Sequence, residues 1–121
     1  MGYWVHLLTA RPDDNLNCFY ATYQWLEDCS IPYNDLSFSS EKFRWCAQSK
    51  YYDKNAIAFA IDDSPKHATE YATHGIKCYV PSKSYNQNVA HLKGIKMYNS
   101  FDELLSLIVN LDSLTKRIVN Y

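Results

Sequence analysis

The sequence predicts an α/β fold: a three-layer sandwich around a mainly parallel sheet of four or more strands. Three observations predict it. Short apolar runs alternate with stretches of helical periodicity, and that alternation implies parallel strands joined by helical crossovers. Each apolar run ends in polar or turn-forming residues. The chain has 121 residues, 47% of them hydrophobic, which suffices for one domain spanning residues 1–121 with its own core.

Tyr3 to Thr9 is an apolar run that ends at Ala10-Arg11-Pro12, as a buried strand followed by a turn does. Asp13 or Asp14 can cap the helix that follows, in which Leu16, Phe19, Tyr20, Tyr23 and Leu26 recur at helical spacing and define one apolar face. Ser30-Ile31-Pro32 stops it, because proline lacks an amide and disfavours helical backbone before it. Leu36 to Phe38 reads as a short second strand. Ser39 or Ser40 can cap a second helix carrying Phe43, Cys46, Ala47 and Tyr51 on one face.

Ala56 to Ile61 is continuously apolar, the pattern of a third strand covered on both faces, and it ends abruptly in Asp62-Asp63. Ser64 as cap, Pro65 at the first helical position and Gly75 just past the last frame a third helix. Ile76 to Val80 is the fourth strand, and Pro81 to Asn88 a polar loop. Ser100-Phe101-Asp102-Glu103 has the spacing of a capping box and opens a final helix with Leu104, Leu105, Ile108, Leu111 and Ile118 facing inward.

Composition excludes several classes. No apolar run approaches the ~18–20 residues of a membrane span. Met1 to His6 lacks a basic leader region and a cleavage site, and His6 stands where a myristoylation signal has serine or threonine. The net charge of −1 leaves no basic footprint for nucleic acid. A small phosphorylated ligand, which needs only a few local donors, is compatible with it. Cys18, Cys29, Cys46 and Cys78 form no C-x-x-C pair, so a zinc or redox motif is not expected, and a reduced, cytoplasmic protein is. His6, His67, His74 and His91 lack metal-ligand spacing and read as structural.

In an open parallel sheet, ligands bind beyond the carboxyl ends of the strands. Thr9-Ala10-Arg11, Ser39 to Lys42, Asp62-Asp63-Ser64 and Pro81-Ser82-Lys83 each follow a strand and so are expected on one rim. Two adjacent carboxylates at a strand end call for a positive partner, and a hard cation such as Mg²⁺ accepts such oxygens while keeping several waters. The plainer alternative is that Asp62 caps a turn and Asp63 is solvated. Thr9 offers a hydroxyl, and the amides after it can bind a phosphate oxygen. Lys42 can neutralise a phosphate; in the first turn of a helix its charge otherwise opposes the dipole.

These residues resemble three successive motifs of the haloacid dehalogenase superfamily of phosphohydrolases, most closely its 5′-nucleotidase-like members. The motifs are Leu7-Leu8-Thr9-Ala10-Arg11-Pro12, Lys42 within Ser39 to Phe43, and Ile61-Asp62-Asp63-Ser64-Pro65. Tyr79 to Asn86 is similar to the family's tyrosine–asparagine loop, and Gly94 to Ile108 to its closing turn and helix. The resemblance implies that Thr9 and Ala10 bind a phosphoryl group, that Lys42 stabilises phosphate and nucleophile, and that Asp62 and Asp63 hold Mg²⁺. The implied reaction is phosphomonoester or nucleotide hydrolysis through an aspartyl-phosphate.

One departure bears on that reaction. The family's nucleophile and general acid/base form a D-x-D motif on the first core strand, and no D-x-D occurs in these 121 residues. The expectation is therefore a domain truncated at its N-terminus and inactive by itself. It is either a catalytically dead phosphate-binding or protein-interaction module, or a fragment completed by a strand-donating partner or a second copy. Its tyrosine and tryptophan content (Tyr3, Trp4, Trp25, Trp45, Tyr51, Tyr52) suits an interface. Without the missing strand, the first and third strands are expected to pair directly, giving the order 2-1-3-4.

Overall fold

The computed structural model describes residues 5–9, 16–30, 32–48 and 57–109, apart from the side chains of 16–19. Tyr3, Trp4, Ala10, Arg11, Asp13, Asp14, Tyr51, Tyr52, Ala56, Leu111 and Ile118 lie outside the described residues. The protein is α/β with parallel sheets. It divides into two compact units, Met1–Tyr51 and Tyr52–Tyr121. None of its described helices is long and apolar enough to cross a membrane.

In the first unit, strand β1 (His6–Thr9) pairs in parallel with β2 (Asp35–Phe38), with His6 opposite Asp35 and Thr9 opposite Phe38. Helix α1 (Leu16–Asp28) forms the crossover and α2 (Lys42–Gln48) follows β2. His6 packs between neighbouring elements: its Nε2 lies 2.9 Å from Ser37 Oγ, and its ring meets Trp45 at a centroid distance of 4.6 Å. The expected apolar face of α1 is corrected. Thr22 and Leu26, one turn apart, are buried, whereas Tyr20 is 64% exposed and Tyr23 and Trp25 also face outward. Tyrosine satisfies a helical pattern without being buried, because its ring carries a polar end.

Helix α1 ends where Ser30 adopts φ 52, the left-handed conformation usually given to glycine. The Cys29 amide donates to Trp25 O and the Ser30 amide to Glu27 O, both at 3.0 Å. The cap of α2 also differs from expectation. Ser39 Oγ accepts from the Glu41 amide at 3.1 Å, a local serine turn, while Glu41 O receives the first helical bond, from Trp45 N at 2.9 Å. Glu41 thus occupies the cap position.

The second unit contains β3 (Ala60–Ile61), α3 (Pro65–Thr73), β4 (Cys78–Pro81), a 3-10 turn (Gln87–Val89), β5 (Ile95–Tyr98) and α4 (101–109). Its sheet order is β3-β4-β5, all parallel. The order 2-1-3-4 is not found: among the described residues, ladders join β1 to β2 and β3 to β4, and none joins β1 to β3. Nor is the third strand the one covered on both faces. Strand β3 is two residues long with Ile61 48% exposed, while Cys78, Tyr79 and Val80 of β4 are buried between two partner strands.

Ala68, Tyr71, Ile76, Val89, Leu104 and Ile108 complete this core. Each buried aliphatic or aromatic side chain here contributes ~1.5–3 kcal/mol. Leu105, expected inward, is exposed. Of the cysteines with described side chains, Cys78 is buried, Cys46 half-buried and Cys29 exposed, all unbridged.

Helix α3 is bounded as its sequence dictates. Ser64 Oγ accepts from the His67 amide, Pro65 follows, and Gly75 (φ 80) closes the far end. The Ile76 amide donates to Tyr71 O at 2.9 Å and the Gly75 amide to Ala72 O at 3.1 Å, the paired bonds of a Schellman cap. Ser100 Oγ likewise accepts from the Glu103 amide, and Glu103 reaches back to the Asn99 amide, one residue earlier than the standard capping box.

Candidate functional site

Two strand ends carry the residues singled out by the sequence, one in each unit. In the first unit, Thr9 closes β1 and its carbonyl accepts from the Ser39 amide at 2.8 Å, so the ends of β1 and β2 are held side by side. Thr9 is half-buried. Lys42 is the first residue of α2 and also half-buried. Ala10 lies outside the described residues.

In the second unit, Asp62 and Asp63 follow β3 directly. The Asp62 amide extends the ladder to Tyr79 O at 3.2 Å, so strand pairing fixes where the pair begins. Asp62 is 7% exposed, and its Oδ1 accepts from the Ser64 amide at 2.9 Å. That bond forms an Asx turn and sets the chain into α3. The turn-capping alternative for Asp62 is therefore part of the structure. Asp63 is exposed, and its Oδ2 accepts from the Tyr85 hydroxyl at 2.5 Å.

The loop after β4 closes over this strand end through Asn86, which is fully buried. Its Nδ2 donates to Asp63 O at 3.0 Å and to Pro81 O at 2.9 Å, and its Oδ1 accepts from the Lys83 amide at 3.0 Å. Both amide hydrogens are thus used, and three otherwise dangling backbone groups are satisfied by one side chain. Asn86 ties the ends of β3 and β4 together and presents Tyr85 to Asp63. The sequence resemblance places both residues in a tyrosine–asparagine loop but assigns neither of them contacts or a role. An asparagine in a polar loop reads as solvated, and only the fold reveals that its partners are buried.

The electrostatics are those of a negatively charged rim. The hydrogen bond to Asp63, then desolvation, then the charges of Asp63 and Asp62 hold the Tyr85 hydroxyl above the ordinary tyrosine pKa. Burial pushes Tyr98, at the end of β5, in the same direction, with Cys78 and Asp63 adding to it.

The donor set is two carboxylates, a phenol and backbone amides at a helix start. Among the described residues, no group of three or more His, Cys, Asp or Glu gathers as a metal site. Two hard carboxylates fit Mg²⁺ only as that ion is commonly held, with water and a phosphate completing its shell. No family model matches the chain, and no curated protein or solved structure matches it.

Proposed function

We propose that the chain is a phosphate-binding domain of the haloacid dehalogenase type, a three-layer sandwich in fold, that does not hydrolyse phosphate by itself. Asp62 and Asp63 hold Mg²⁺ in the second unit; Thr9 and Lys42 of the first unit, with Ala10, contact phosphate. The ion would supply positive charge that offsets the two carboxylates. The chain's own residues do the remaining work: Asp62 sets the turn into α3, and Asn86 fixes the loop that carries Tyr85.

The observation that supports this most is the pair of adjacent carboxylates at the carboxyl end of β3, with Asp62 buried at 7% exposure and anchored to the start of α3. The family it resembles hydrolyses through a D-x-D motif that these 121 residues lack, so this reading assigns hydrolysis to none of them.

The test is a Mg²⁺ titration of the full chain followed by backbone amide shifts. Saturable shifts at Asp62, Asp63 and Ser64, weakened at least about tenfold in Asp63→Asn, are expected; each lost charge-assisted contact is worth ~1.5 kcal/mol or more. No saturable shift sinks the metal assignment. Phosphatase turnover is expected at background in both proteins, and robust turnover abolished by Asp63→Asn would show that the chain is an active enzyme.

A second reading rests on Trp25, 52% exposed on α1. Association with a second copy or a protein partner through that face is the role it supports, since tryptophan is enriched at interfaces. Light scattering decides it: a concentration-dependent dimer that Trp25→Ala dissociates is expected, and a strict monomer refutes self-association.

A further inference from the structure

At the opposite end of the second unit's sheet lies a groove of about 470 Å³. Lys77 immediately precedes β4 and Gly94 immediately precedes β5, whereas Asp62 and Asp63 follow β3, so groove and aspartates sit at opposite ends of parallel strands. The end of α3 forms one wall. Lys77, Lys93 and Lys96 line the groove and no carboxylate does.

The fold fixes the basic residues. Lys77 and Tyr79 are two residues apart in an extended segment and so share a face; the Lys77 ammonium stands 5.6 Å from the Tyr79 ring centroid. Lys96 is the register partner of Tyr79 on β5. Tyr79 is buried, so the platform under these lysines is rigid. Gly75 (φ 80) and Gly94 (φ 92) add no side chains of their own to the lining.

Three like charges line one groove with no carboxylate among its lining residues, which leaves a local excess of positive charge. Two carbonyls near the end of α3 already have partners: Tyr71 O accepts from His74 and Ile76 amides, and Ala72 O from Gly75. The dipole of α3 accounts for a fraction of one charge. The remaining excess matches an anion carrying several charges, and the volume is in the range of small-molecule sites, ~300–1,000 Å³.

We propose that this groove binds an oligophosphate, two or more linked phosphoryl groups, through Lys77, Lys93 and Lys96 and without a metal ion. Ammonium groups on flexible stems act as point charges and suit a chain of phosphates better than one planar anion. The site is independent of the Asp62–Asp63 reading.

The experiment is an amide-shift titration of the full chain with tripolyphosphate in the presence of EDTA at low salt. Saturable shifts at Gly75, Lys77, Gly94 and Lys96 are expected. Affinity should fall about tenfold in Lys93→Gln, the equivalent of one charge-assisted bond, and be lost in the Lys77→Gln/Lys93→Gln/Lys96→Gln variant. Lys96→Arg should retain binding, because it keeps the charge. All three side chains are exposed, so these variants keep the fold, which the amide spectrum itself verifies.

Absence of saturable shifts overturns the proposal. So does equal binding by the triple variant, or shifts confined to residues 62–64 and 81–86. Inorganic phosphate is expected to bind more weakly, and equal affinity for it overturns the oligophosphate assignment. Failure of the Mg²⁺ titration at Asp63 leaves these outcomes unchanged, so the two readings fail separately.

Discussion

The two units are built on the same strand–helix–strand plan but differ in how they stabilise it. Among the described residues, Thr22 and Leu26 are the buried pair of the first unit, while the second buries twelve, nine of them hydrophobic. The first has a ladder of two strands; the second sandwiches β4 between two others. A two-stranded pairing is marginal in water without further packing, whereas a third strand gives the central one partners on both edges. Polar groups divide the same way. His6, Ser37 and Asp35 of the first unit are half-buried, while Asn86, Asp62 and His67 of the second are buried. Deep burial makes each polar contact of the second unit worth more, and each mistake more costly.

The largest expected effect tests that depth. Asn86→Ala leaves two carbonyls and one amide without their partner and should destabilise the second unit by roughly 3 kcal/mol, read by chemical denaturation. A loss under about 0.5 kcal/mol, the size of an ordinary surface substitution, would mean that the loop is not held by this side chain. The next effect has the opposite sign. His67 is 7% exposed and its Nδ1 has no hydrogen-bond partner. Replacing it with leucine should raise stability by about 1–2 kcal/mol, since an unsatisfied buried polar group is removed; a loss would show that the imidazole is used.

In the first unit, Ser30→Gly relieves a left-handed residue at the end of α1 and should gain about 1 kcal/mol. Little change in melting there would place the fragility of that unit elsewhere than in this turn. The smallest effect is in pH. Tyr85 and Tyr98 have raised pKa values, so the folded chain keeps protons that the unfolded chain loses. Their contribution is intact below the unfolded tyrosine value of ~10 and disappears as pH rises past it. Asp63→Asn, which removes the leading cause at Tyr85, should flatten the fall in melting temperature above that pH. An unchanged slope would contradict the assignment.

The parts of the fold legible in the sequence are those written in local rules. Ser64, Pro65 and Gly75 mark α3 because each meets a backbone requirement that few residues meet. Ser100 and Glu103 mark the start of α4 for the same reason. The run Ala56 to Ile61 misled because apolarity alone does not say which strand is central. Pairing decides that, and pairing is non-local. Strand β5 was hidden in a segment read as turn and helix, although Ile95 and Met97 alternate with Lys96 and Tyr98 after a glycine. At the candidate site, Asp62 and Asp63 were legible as a pair at a strand end. Tyr85 and Asn86 were not, because their roles depend on contacts across more than 20 residues of sequence.

Asn86 also gives the protein a chemical clock. The side chain works because its nitrogen faces two carbonyl oxygens and its oxygen faces an amide. Spontaneous hydrolysis of that one carboxamide keeps the shape and reverses the sign, setting a carboxylate against the same two carbonyls and adding a negative charge beside Asp62 and Asp63. Burial slows the reaction in the folded chain, but each excursion of the loop exposes the amide to water. Each molecule reacts once at this position, exchanging ammonia for a carboxylate, and the loss of the loop would register in stored protein as a gain of acidic charge before any loss of helix.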